Sequence, residues 1–209
     1  MRRPPLVRSL VVAVGLVAAG AASAQAAETP TTVKRAFDLS ESPSAISRAE
    51  GAVRAADLRK QSLDEQVMRF QEMADAHAIT GERLREVQRD AAIAAATLAE
   101  ATAKLHRART DEQRLQAETT CDAGNCAPLH TAYAALRQDD AEIAHQEVVK
   151  LDALVAFDQF IVEGHQALAD SGAIDQRVVF EDRLELAAKQ AERDAAVQAW
   201  QQLRGLTAP

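Results

Sequence analysis

Between Pro43 and Pro209 the chain contains one proline, Pro128. A proline ring removes a backbone donor and clashes with the preceding turn, so helix interiors exclude it. Residues 44–127 and 129–208 are therefore free to be helical almost without interruption. Glycine is nearly as sparse, and beyond the N-terminal segment it occurs only at Gly51, Gly81, Gly124, Gly164, Gly172 and Gly205. The residues between are dominated by Ala, Leu, Glu, Gln, Arg and Lys, the strongest helix formers.

The apolar periodicity agrees. Ile46, Ala49, Val53, Ala56, Leu63, Val67 and Phe70 follow heptad steps of three and four, with Lys60 interrupting one position. A second seam runs through Leu84, Val87, Ala91, Ala94, Leu98, Ala101, Leu105, Ala108 and Leu115. The two seams do not share a register, and the change falls at Thr80-Gly81, which marks a kink, an unwinding or a turn. Pro128 suits the first turn of a further helix. Asp170-Ser171-Gly172 then breaks that helix, and Asp175 can cap a last one that ends near Gly205. The expectation is an all-α domain with helices near 43–79, 82–119, 128–169 and 176–204. Residues 25–42, rich in Ser, Thr and Pro, read as an extended or disordered leader. Glu65/Arg69, Glu100/Lys104 and Glu185/Lys189 are favourable i,i+4 pairs on solvated faces.

Folding the chain about the centre of residues 121–126 makes residue i face 247 − i. The alanine-rich run 91–103 then faces 144–156, where the bulky stretch 148–162 begins, and small opposite large fills a helix seam without voids. Two layouts satisfy this pairing. One is a long antiparallel, coiled-coil-like hairpin with a stapled turn, which the near-equal arms favour. The other is that hairpin doubled back into an elongated four-helix bundle, which the wide apolar face of 148–162 favours.

The turn reads Cys121-Asp122-Ala123-Gly124-Asn125-Cys126, with His130 beyond it. Cys121, Cys126 and His130 would give three zinc ligands where a structural site uses four. Asp122 is the one local candidate for the fourth. His106 lies about 22 Å upstream along a helix. The spacing matches neither a CxxC redox pair nor a haem attachment motif. Two cysteines flanking a Gly-Asn turn in an exported chain are expected to form a disulfide. A single ExxH, Glu142 to His145, has the spacing used by metal-carboxylate bundles, which need a second such motif and further glutamates. No second ExxH exists, and Lys104 falls at the matching height on the facing helix. Beyond residue 48 the only serines are Ser62 and Ser171, and neither sits in a strand-turn-helix elbow. No enzyme, cofactor or resident metal is expected.

The N-terminus carries Arg2, Arg3 and Arg8, an apolar run from Leu10 to Ala19, and Ala22-Ser23-Ala24. This is the pattern of a secretory signal, with cleavage expected after Ala24 or, alternatively, after Ala26. The full chain has 24 Lys+Arg and 31 Asp+Glu; removing the three arginines leaves 21 against 31, a net charge of −10. So acidic a chain is a poor ligand for nucleic acid or anionic lipid. After cleavage no segment is apolar enough to span a membrane.

These features point to an exported, periplasmic or secreted, helical scaffold or adaptor of the bacterial envelope. Its expected partners are other envelope proteins or further copies of itself. Minor pilins of type IV secretion systems share this general description, which makes a secretion or conjugation apparatus one setting for it. The alternatives are a periplasmic chaperone or stress-sensing protein, and a metal-binding four-helix bundle.

Overall fold

The computed structural model describes residues 31–122 and 124–207. Among these, 92% are helical and none forms a strand. The described residues form four helices, α1 (Thr31–Asp75), α2 (Gly81–Asp122), α3 (Ala127–Asp170) and α4 (Gln176–Thr207). The expected boundaries hold within a few residues for α2, α3 and α4. The signal segment and residues 25–30 lie outside the described residues.

The leader assignment needs correction. Residues 31–42 are helical, and Pro43 lies inside α1. Proline costs a helix one backbone bond and a clash with the carbonyl four residues back, yet here α1 continues through it. The hydroxyl of Ser42 bonds the Asp38 carbonyl at 3.4 Å and that of Ser44 bonds the Glu41 carbonyl at 2.7 Å. Both close helical turns beside the ring, and Ser42 itself is buried.

At the other end of α1 the register change proves to be a full turn. The Ala78 N–H bonds the Met73 carbonyl at 2.8 Å and the His77 N–H bonds the Ala74 carbonyl at 2.9 Å, with His77 at φ 55°. This is a Schellman ending, which returns two orphan carbonyls to hydrogen bonding. The Thr80 hydroxyl then accepts from the Arg83 N–H at 3.3 Å and caps α2. The end of α3 repeats the design. Ala173 bonds Leu168 at 2.8 Å, Gly172 bonds Ala169 at 3.0 Å with φ 77°, and Asp175 accepts from the Arg177 N–H at 2.9 Å. The two corners also share sequence. Gln71, Ala74, Asp75, Ala78 and Ile79 recur as Gln166, Ala169, Asp170, Ala173 and Ile174, each 95 residues later. Gln71 reaches Asp75 at 2.9 Å just as Gln166 reaches Asp170 at 2.6 Å. The chain is thus two helical hairpins of one pattern, joined at the cysteine turn.

Each helix packs only on its neighbours in sequence: α1 on α2, α2 on α3, α3 on α4. The doubled-back layout is therefore the observed one, but α1 and α4 do not meet and the bundle stays open. Heptad arithmetic explains this. The α2 seam toward α1 is the expected 84-87-91-94-98-101 series, in which Val87, Ala94 and Ala101 are buried. Its seam toward α3 runs 89-96-100-103-110-117, with Ala96, Ala103, Thr110 and Ala117 buried. At two helical turns per heptad these stripes lie roughly 155° apart, on nearly opposite sides of α2. The same holds for α3, whose buried Ala132, Asp139 and Gln146 face α2 while Ala141, Val148 and Ala169 face α4. Two seams on opposite sides of each central helix force a flat array, one helix thick.

The expected α2–α3 pairing is present. Arg107 bonds Asp140, Arg89 lies over Phe157, and Lys150 pairs with Glu100, in each case close to the 247 − i rule. Of the three expected i,i+4 pairs, Arg69–Glu65 and Lys104–Glu100 form, while Lys189 turns to Glu192 at 2.9 Å. The buried set is mostly alanine, and Val179 is the one side chain wholly withdrawn from water among the described residues. Small side chains let the helices approach closely but remove little apolar area.

Candidate functional site

The cysteine turn stands at the end of the α2–α3 hairpin, away from the corners that follow α1 and α3, and closes in the same Schellman pattern. Gly124, at φ 98°, is its left-handed residue, and its N–H bonds the Cys121 carbonyl at 2.8 Å while that of Asn125 bonds the Thr120 carbonyl at 3.1 Å. The Cys121 and Cys126 sulfurs are within bonding distance, with Cα atoms 4.1 Å apart. The thiols of a zinc site are therefore occupied with each other. His130 is exposed, its backbone N–H held by the Cys126 carbonyl at 3.2 Å. His106 is engaged elsewhere, as its distance along α2 implies.

Glu142 and His145 share a face of α3 but do not converge on a third ligand. Glu142 accepts from Gln146 at 2.6 Å and stands 3.9 Å from His145 Nδ1. The His145 ring stacks on Trp200 of α4, with centroids 4.7 Å apart, so this imidazole serves the α3–α4 seam. Lys104 lies on the opposite helix, paired with Glu100. Among the described residues no group of three or more His, Cys, Asp or Glu side chains could hold a metal ion.

Two histidine–aspartate pairs cross the seams. His106 Nδ1 lies 2.6 Å from Asp139 across the α2–α3 seam, and His165 Nδ1 lies 2.6 Å from Asp182 across the α3–α4 seam. Asp139 is buried, and its Oδ2 has no hydrogen-bond partner. The first pair follows approximately from the 247 − i rule. The second follows from an equivalent fold about the 171–175 turn, in which residue i faces 347 − i. Arginine stacking is the other recurring device. Arg83 lies 5.6 Å from the Phe70 ring centroid, Arg85 5.6 Å from Phe160, and Arg89 4.4 Å from Phe157. Such contacts cover apolar rings with a cation where no second layer of helices does so.

On one broad face of the α2–α3 hairpin, Ala92, Ala153 and Ala156 floor a shallow groove of about 440 Å³, walled by Arg85, Arg89, Phe157 and Phe160. The groove is open to solvent and lined by both polar and apolar side chains. Two partly buried carboxylates on α2 and α3 are shifted in opposite directions. Burial pushes the Glu100 carboxyl up, but hydrogen bonds and charge from Lys104 and Lys150 outweigh it and hold the group below its ordinary range. Asp158 is driven the other way, first by burial and then by Glu185. The buried Thr110 hydroxyl lies 3.5 Å from His106 Nδ1, the same ring nitrogen that pairs with Asp139. No helix of the described residues is long and apolar enough to cross a membrane.

No protein-family model, no curated protein and no solved structure matches this chain.

Proposed function

We propose that this chain is an exported, non-enzymatic helical scaffold of the bacterial cell envelope, holding other proteins against its long helical surfaces. The observation that carries this reading is the open array. Helices of 32 to 45 residues lie side by side in one layer, so both broad faces and both edges remain for partners. A catalytic domain instead surrounds its reacting groups with packed structure. The N-terminal signal pattern supports an envelope location, and a secretion or conjugation apparatus is one setting for an acidic helical subunit of this kind. The groove between α2 and α3, smooth with alanine and edged by arginine and phenylalanine, suits an amphipathic partner helix.

The test is crosslinking in the native host. A photoreactive side chain at Ala92, in the groove, should give discrete adducts with envelope proteins. The same probe at Thr102, exposed farther along α2 and outside the groove lining, should give fewer. The recovered protein should begin at Gln25 or Ala27. An intact Met1 on a cytoplasmic protein, or equal and diffuse labelling from both positions, would end the proposal.

A further inference from the structure

The two edges of the layer differ, and the difference identifies one occupant. The outward side of α1 is mostly polar, with Arg54, Gln61 and Glu65 separating the exposed Leu58 from the exposed Met68, ten residues on. The outward side of α4 carries a second heptad stripe, Arg177, Phe180, Leu184, Ala187, Ala191 and Asp194, every member exposed. Phe180 is 61% exposed and Leu184 is 55% exposed. The inward side of the same helix is mixed, since Asp182 and Arg193 share the seam against α3 with the buried Val179 and with Trp200. Four successive uncharged positions thus face water on the side away from α3, a second apolar stripe that a surface helix built only for solvent does not carry.

The stripe is complementary to itself. In an antiparallel pair where residue i faces 371 − i of a second copy, Arg177 meets Asp194, Phe180 meets Ala191 and Leu184 meets Ala187. The twofold axis then repeats the same three layers in reverse. Large meets small in the apolar layers and opposite charges close both ends, the rule that already joins α2 to α3. Within one chain Arg177 pairs loosely with Glu181 at 3.3 Å and Asp194 with Arg193 at 3.1 Å, both on exposed side chains. Neither contact blocks exchange to a partner. We infer that the α4 edge docks against the α4 edge of a second copy, giving a continuous eight-helix layer. Residues 177–194 span about 26 Å of helix. That is a small interface, at or below the roughly 1,200 Å² typical of stable complexes, so the dimer dissociates on dilution. The inference stands apart from the envelope assignment.

Sedimentation equilibrium of the purified, oxidised protein between about 5 and 500 µM tests it. A reversible monomer–dimer equilibrium is expected. Leu184→Arg should weaken it at least tenfold, and Leu58→Arg, on the α1 edge, should leave it unchanged. Asp194→Arg alone places like charges in both end layers and should weaken association. Combining it with Arg177→Asp should restore the wild-type constant to within about threefold. All these positions are exposed, and circular dichroism verifies that each variant stays folded. A monomer at 500 µM, an association that survives Leu184→Arg or is lost equally with Leu58→Arg, or a charge swap that fails to restore it, overturns the assignment.

Discussion

Glu100 and Asp158 are partly buried carboxylates on neighbouring helices, driven in opposite directions by what surrounds them. Glu100 sits between Lys104 and Lys150, with 16% of its side chain exposed. Its proton affinity is lowered on folding, so its contribution is present above the ordinary carboxylate range and is lost as pH falls through the folded value. Asp158 lies in a partly buried strip with Glu185, and its proton affinity is raised on folding. Its favourable contribution belongs to the protonated form. It is complete below the unfolded value and disappears as pH rises through the folded one, so at neutral pH the charge is a burden. Glu100→Gln should therefore cost about 1–2 kcal/mol at pH 7, because Lys150 is left partly buried without its anion. Asp158→Asn should stabilise by about 0.5 kcal/mol, a small figure because solvent screens the site. Thermal melts at pH 7 and near pH 3 separate the two. Both differences should shrink at the acidic end, and shifts of the same sign at pH 7 would contradict this account.

At the scale of elements, much is legible in the sequence because heptad spacing and helix punctuation are local. The α1 stripe Ile46-Ala49-Val53-Ala56, the α2 stripe from Leu84 and the α2–α3 pairing need only periodicity and one turn. The helix at 31–42 is hidden because Pro43 and several serines signal a break, whereas Ser42 and Ser44 bond helix carbonyls beside the ring. The His165–Asp182 pair and the His145–Trp200 stack require a second fold axis, which the chain announces only through the recurrence of Ala-Ile after a left-handed residue. That recurrence supplies a prediction. His77, Gly124 and Gly172 occupy the same slot in three Schellman turns, and only His77 carries a side chain into a left-handed conformation. A Cβ built at Gly124 or Gly172 would meet no neighbouring atom, so the demand at those turns is conformational, not steric. His77 is itself exposed and should tolerate the change. His77→Gly should stabilise the protein by roughly 0.5–1 kcal/mol in chemical denaturation, less the entropy that glycine adds to the unfolded chain. A loss of stability would mean that the imidazole makes a contact outweighing the backbone strain.

For the whole molecule, flatness is the property from which the rest follows. A closed bundle needs each helix to show neighbouring stripes at about a right angle, so that four of them enclose one core. Here α2 and α3 carry stripes on nearly opposite sides, and closure would turn one of those stripes away from its partner. Replacing alanine by larger residues along one seam would not close the bundle, because the direction of the stripes, not their size, sets the layout. The layer should measure about 67 Å along α1 at 1.5 Å per residue, about 38 Å across four helices spaced 8–10 Å apart, and about 11 Å through. A slab of those proportions has a radius of gyration of roughly 22 Å, against about 21 Å for four helices of this length closed on a core and about 16 Å for a compact globule of the processed chain. Small-angle scattering at concentrations where the protein is monomeric should return the largest of these values, with a thickness near that of a single helix. A cross-section two helices deep would show that α1 and α4 meet in solution. The open edges on which both partner binding and self-association depend would then be absent.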